Sequence, residues 1–261
     1  MRIFYDTEFL EGTQTKRILG IPVGKTKPTI DLISIGMVNE KGDHYYAVSK
    51  DFNLREAWER YDEHTAYGDF DPIRVYWIRE NVLRPVYDRL IERDSIEYEH
   101  NPHLANNPEM VNTFSYSALE LLIDSYGKTN NEIGKEVHNF CMRNKIEPAQ
   151  LYGYYSAYDH VALCWLFGKM INLPAGMPMY TIDLKQILDE KEKAYVLAKY
   201  EEHMGYKENS QAEEIWVKEN RADRHRLKNH PNFPKQDKEH DALADAAWNK
   251  QLYEFLKSLS V

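Results

Sequence analysis

The apolar residues of this chain change their period part-way along, and that change restricts the possible folds more than any other feature of the sequence. Near the N-terminus "RIFYDTEF" reads as a strand, its side chains alternating between two faces. "TIDLISIGMVNEKGDHYYAVSK" reads as two more strands joined by a turn near "NEKGD", a hairpin from about Ile30 to Ser49. Beyond it the helical period of three to four takes over. "NLREAWERYDEH" predicts a short helix, and "DPIRVYWIRENVLRPVYDRLIE" a helical stretch bent around Pro85. "SYSALELLIDSYG" and "TNNEIGKEVHNFCMRNK" predict two helices, the second capped by Thr129 with Glu132 three positions on. "AQLYGYYSA" returns to strand, "YDHVALCWLFGKM" to helix and "MPMYTIDL" to strand, running into helical "KQILDEKE". Further helical pieces are expected in "KAYVLAKYEEHM" and "SQAEEIWVKEN". "DKEHDALADAAWNKQLYEFLKSL" closes the chain as its clearest helix, with Asp237 at its start.

Three strands followed by helix, strand, helix, strand and terminal helix describe one mixed α/β domain over residues 1–261. Residues 11–29 lack a periodic apolar pattern and read as a loop; 61–112 and 190–236 are the other expected insertions. A hydrophobic fraction of 43 % with 19 Tyr, 9 Phe and 5 Trp is enough to build a sizeable core, which excludes a disordered chain. Cys141 and Cys164 fall among apolar neighbours, as free thiols of a reducing compartment do. With no signal-peptide pattern and no long uncharged apolar run, a cytoplasmic protein that does not engage a membrane is expected.

Into this frame the sequence sets acids where they are unwelcome. "FYDTEF" carries Asp6 and Glu8 two residues apart, on one face of a strand. Like charges held that close repel and resist desolvation, and a bound cation is the usual compensation. Asp159 opens an apolar helix just after a strand, and Asp245 lies one turn past Asp241 in an Ala-rich section, with His240 just before them. Each has a plain structural reading: Asp159 as an N-cap, His240 and Asp241 as residues of a helix start. Only convergence explains them together. Four carboxylates meeting at the carboxyl end of a sheet describe a hard-cation site for Mg²⁺ or Mn²⁺ rather than Zn²⁺. Two such ions about 3.5–4 Å apart clamp the attacking and leaving oxygens of a phosphoryl transfer. His240 stands near enough in sequence to take a proton from the attacking water.

"FYDTEF", "YGYYSAYDHVAL" and "HDALADA" resemble the three motifs of the DEDD superfamily of 3'-5' exonucleases, in the DEDDh branch marked by a histidine five positions before the last aspartate. Within that branch, "LISIGMV", "YYAVS" and "AYDHVALCWLFG" are similar to the small bacterial and phage exoribonucleases often called RNase AS, which act on adenosine-rich RNA tails. The resemblance implies an RNase H-like fold: a mixed five-stranded sheet, its first three strands antiparallel and the later ones parallel, flanked by helices. It implies catalytic Asp6, Glu8, Asp159, His240 and Asp245, the four acids holding two Mg²⁺ ions for which Mn²⁺ substitutes. It further implies release of 5'-mononucleotides from the 3' end of single-stranded RNA or an RNA overhang, a homodimer, and a bacterial cytoplasm or the host cytoplasm of a phage. Thr7, Phe9 and Tyr158 are the expected contacts to the terminal nucleotide, although Thr7 should point away from Asp6 and Glu8 on a regular strand.

The rival readings are a 3'-5' exodeoxyribonuclease, separated from an RNA enzyme by contacts to the 2'-hydroxyl, and a non-catalytic nucleic-acid-binding protein on the same fold. A net charge of −9 excludes broad electrostatic adhesion to nucleic acid, yet residues 221–240 hold six Lys/Arg against three Asp/Glu and lead into His240. That segment is the candidate basic flap.

Overall fold

A computed structural model describes residues 1–64, 73–97, 111–143, 148–204 and 226–259. The first strand, β1 (Arg2–Gly12), is longer than its apolar run because Glu11 and Gly12 still pair with Ile30 and Thr29. Residues 11–29 are not a loop: β2 (Thr15–Ile18) and β3 (Ile21–Lys25) form a hairpin. Leu19 and Gly20 turn it with φ of 49° and 81°, the positive pair that a tight two-residue hairpin turn uses. The periodicity is hidden there because neither face is buried; every residue of β3 is exposed.

β4 (Thr29–Asn39) and β5 (His44–Val48) are the expected hairpin. Asn53 caps α1 (Leu54–Glu59), its side chain accepting the Glu56 amide at 3.1 Å. β6 (Asp62–His64) and β7 (Ile73–Val75) pair as a small second hairpin, so the segment expected as a bent helix begins as a strand. Helix follows through a π turn at Arg79–Leu83, where the Arg84 amide reaches the Arg79 carbonyl, and continues as α2 (Arg84–Glu97). Pro85 has no N–H for the Asn81 carbonyl and its ring crowds that oxygen; the wider turn relieves both.

Ser115 caps α3 (Tyr116–Tyr126), and α4 (Asn130–Cys141) carries the expected capping box of Thr129 and Glu132. β8 (Gln150–Gly153) leads to α5 (Ala157–Trp165), then β9 (Thr181–Asp183) to α6 (Leu184–Met204). The stretch "SQAEEIWVKEN" lies outside the described residues. The terminal helix, α7 (Ala242–Ser258), is capped by Asp241 rather than Asp237: Asp241 accepts the Leu243 and Ala244 amides at 3.0 and 3.2 Å.

The central sheet has five strands in the order β5-β4-β1-β8-β9, with β5, β4 and β1 antiparallel and β8 and β9 parallel to the centre. Helices flank it, giving the RNase H-like α/β fold. On one face Ile3 and Tyr5 of β1 pack with Val137 and Phe140 of α4 and Leu163 of α5. Phe4 looks the other way, toward Leu184 of α6 and Leu252 and Phe255 of α7. A further apolar cluster joins the far end of β1, at Leu10, to α2 and α3. Cys141 and Cys164 are buried free thiols. Among the described residues no helix is long and apolar enough to cross a membrane.

Candidate active site

Alternation along β1 sets up the site. Phe4, Asp6 and Glu8 share the face covered by α7, while Tyr5 and Thr7 face α5. Helix α7 comes in close: a Cβ on Gly36 of β4 would lie 2.2 Å from the Ala242 carbonyl oxygen, so only glycine lets the helix start there. Further along, the Asn249 amide group donates to the Tyr5 carbonyl at 3.0 Å and fixes the helix to β1. That register delivers Asp245 onto the two strand acids. Asp6, Glu8 and Asp245 each offer a carboxylate oxygen, all within 4.8 Å of one another.

Asp159 arrives from the opposite face. It lies in the first turn of α5 but does not cap it; Ser156 holds the capping position. Its Oδ1 accepts the Thr7 backbone N–H at 2.8 Å and the Thr7 hydroxyl at 2.7 Å. Thr7 therefore does point away from Asp6 and Glu8, toward the helix that brings the fourth acid, and its two donors hold that acid against the strand. Asp159 stands outside the tight triad yet lines the same cavity of about 560 Å³.

His240 sits immediately before α7 in a left-handed conformation, φ 65°, uncommon for any residue but glycine. Its backbone N–H donates to Asp245 Oδ2 at 2.8 Å, and its Nδ1 lies 3.9 Å from Glu8 Oε1. The Trp77 ring meets it edge-on with centroids 4.8 Å apart. Asp241, next in sequence, is gripped by both nitrogens of the Arg89 fork, with Nε 2.9 Å from Oδ2. Segment 61–112 thus supplies two braces for the histidine.

The acids are electrostatically frustrated. Burial first, then repulsion from Asp159, Glu8 and Asp245, holds the Asp6 carboxyl well above the usual carboxylate range. Glu8 is raised in the same way, by burial and then by Asp245 and Asp159. Burial pushes Asp159 up to about 6 despite the opposing Thr7 hydrogen bonds. Asp245 is raised by burial, with partial relief from the Gln236 amide and the His240 N–H. Crowded oxygen donors that resist ionising together suit a small, hard divalent cation, whose charge reverses both penalties. The residues present fit such an ion, and the triad of Asp6, Glu8 and Asp245 can hold one.

Phe9 lines the cavity, whereas Tyr158 reaches the site only through it, in an edge contact with centroids 5.9 Å apart. Tyr154 and Tyr155, from the same tyrosine-rich stretch, form the wall where Tyr158 was expected. The loop after β8 turns them in: Tyr155 adopts φ 55°, and its N–H donates to Asp183 Oδ1 at 3.2 Å. Asp183 also takes the Lys185 amide at 2.8 Å, as an acid at a helix start does. Trp77 and Gln236 line the cavity as well, from the two segments expected as insertions.

No family model matches the chain. Two curated proteins do resemble it: the 3'-5' exoribonucleases Rv2179c of Mycobacterium tuberculosis (strain ATCC 25618 / H37Rv) and MT2234.1 of strain CDC 1551 / Oshkosh. Each is 27 % identical over 191 residues, 73 % of this chain and 76 % of the relative. Both relatives are named for 3'-5' exoribonuclease activity, and in this chain three acids meet at one candidate cation site.

Proposed function

We propose that this protein is a metal-dependent 3'-5' exoribonuclease of the DEDDh branch, acting in the cytoplasm. Its substrate is the 3' end of single-stranded RNA or an RNA overhang, from which it releases 5'-mononucleotides. The observation that carries the reading is the meeting of Asp6, Glu8 and Asp245 within 4.8 Å, with His240 Nδ1 3.9 Å from Glu8. Asp159, fixed by Thr7, supplies the fourth carboxylate. These four would hold two Mg²⁺ ions, or Mn²⁺ in their place. Bound there, such ions neutralise charge on the scissile phosphate and acidify a water ligand.

The protein's own groups do the rest. Asp245 takes the His240 backbone N–H and so fixes where the imidazole stands, next to Glu8. The imidazole removes the proton of the attacking water, and Glu8 orients that water from the other side. Thr7 sets the carboxylate plane of Asp159. Phe9, backed by Tyr158, offers the terminal base an apolar surface, and the β1 backbone around Thr7 borders the terminal sugar. RNA rather than DNA is favoured by the two relatives, both exoribonucleases by name, and adenosine-rich RNA and a homodimer by the resemblance to RNase AS.

Single-stranded RNA and DNA of adenosine-rich and mixed sequence, labelled at either end and incubated with Mg²⁺, test this directly. The expected result is a ladder shortening from the 3' end on RNA, with 5'-mononucleotide products and the fastest loss on adenosine-rich strands. Equal or better digestion of DNA would replace the RNA assignment by the exodeoxyribonuclease one. Binding without any nucleotide release would leave a nucleic-acid-binding protein.

A further inference from the structure

Behind the wall formed by Tyr154, Tyr155, Gln236 and Trp248 lies a second cavity, also of about 560 Å³, that shares these residues with the first. Its chemistry differs. The first is lined by six carboxylates with Arg60 and His240; the second brings together Lys185, Arg226 and Lys228 with two carboxylates. The two carboxylates that also line it are engaged within the protein. Asp189 receives the Lys185 ammonium on both oxygens, and Glu192 takes the Leu227 backbone N–H at 2.9 Å. Arg226 and Lys228 stand exposed at this cavity in a chain of net charge −9. Between the two cavities stands Tyr155, 64 % exposed, in the left-handed conformation already described, with the Lys185 ammonium 5.6 Å from its ring centroid. A large aromatic held out in a strained backbone conformation, at the junction of an acidic and a basic cavity, is a feature that packing alone does not require.

A polynucleotide whose last phosphodiester lies among the acids must lead its remaining phosphates away from them, since uncompensated carboxylates repel phosphate. The adjoining cavity with its added cations is the route with the better charge, and Tyr155 stands exposed at its entrance, with the Tyr154 ring edge-on to it at a centroid distance of 4.9 Å. We infer that the second cavity is a subsite for the nucleotides upstream of the cleaved one. In it Arg226 and Lys228 meet their phosphates, and Tyr155 stacks on the base next to the scissile bond. The inference rests on the exonuclease reading and deepens it: the enzyme should sense substrate length through a site separate from the chemistry.

The test compares the parent protein with the double variant Arg226→Ala/Lys228→Ala on two substrates. One is the p-nitrophenyl ester of adenosine 5'-phosphate, which has no upstream nucleotide; the other is an oligoadenylate of a dozen residues. The variant is expected to hydrolyse the ester as the parent does. On the oligonucleotide its KM should rise about five- to tenfold with kcat little changed, and the slope of log KM against log salt should fall by about 0.7 for each lost contact. An unaltered KM and salt slope on the oligonucleotide, or an equal loss on both substrates, overturns the subsite. A parent protein that hydrolyses neither substrate removes the exonuclease reading itself, and the subsite with it.

Discussion

At the scale of single residues the site is held together against its own charges. Asp6, Glu8, Asp159 and Asp245 all have folded pKa values raised above the ordinary carboxylate range, chiefly by burial. A raised acid favours the folded state fully below its unfolded pKa of about 4, and that contribution disappears as pH rises through the folded value. For Asp159 the window ends near about 6, and Asp6 and Glu8, also raised by burial, act in the same direction. Cation-free protein should therefore lose thermal stability as pH rises from about 4 upward, and Mg²⁺ should restore more of it at alkaline than at acidic pH. Scanning calorimetry with and without EDTA checks both. In the same experiment Asp6→Asn, which removes a frustrated charge, should raise the Tm of the cation-free protein by at least about 2 °C at alkaline pH while abolishing hydrolysis. His240→Ala should keep the fold and lower kcat by about 10²–10⁴-fold, the range for loss of a general base, as measured by single-turnover kinetics. The positions of these acids were readable because each stands in or at the edge of an apolar pattern, and that of His240 because it lies five residues before Asp245. The Thr7 link to Asp159 was not, since period-two alternation says which face a side chain takes but not which helix will cover it.

Elements place those residues, and the insertion does more of the placing than its sequence suggests. Helix α2 sends Arg89 to Asp241, the cap of α7, and Trp77 just before the π turn packs on His240. Both stand far from the motif residues in sequence. Truncating Arg89 to Ala leaves Asp241, 7 % exposed, without its cation, at an expected stability loss of about 1.5–3 kcal/mol. It also frees the left-handed turn at His240, so kcat should fall by more than KM changes. Denaturant unfolding and steady-state kinetics separate the two effects. Most strands and helices were legible because one face of each is buried. The β2–β3 hairpin was not, because it is exposed on both sides, and the π turn was not, because a proline predicts a bend but not how the ladder accommodates it. The shift of the α7 start from Asp237 to Asp241 has a similar cause: both are acids able to cap, and only packing against Gly36 decides between them.

On the scale of the whole molecule, an acidic chain carries an acidic cavity next to a basic one, and the sheet explains why both lie together. β1 and β8 run parallel from Arg2 and Gln150, and the chain leaves β8 at Gly153 to bring Tyr155 and Asp159 beside Asp6 and Thr7. Net charge was legible at once, but its partition between two cavities depends on which charges pair internally. On the proposed reading the four acids form one divalent-cation site. Crystals soaked in Mn²⁺ with a 5'-mononucleotide, measured at the manganese absorption edge, test it most directly. Two anomalous peaks about 3.5–4 Å apart among Asp6, Glu8, Asp159 and Asp245, with the nucleotide phosphate beside them, are predicted. Fully exchanged crystals with no manganese among these carboxylates would contradict it.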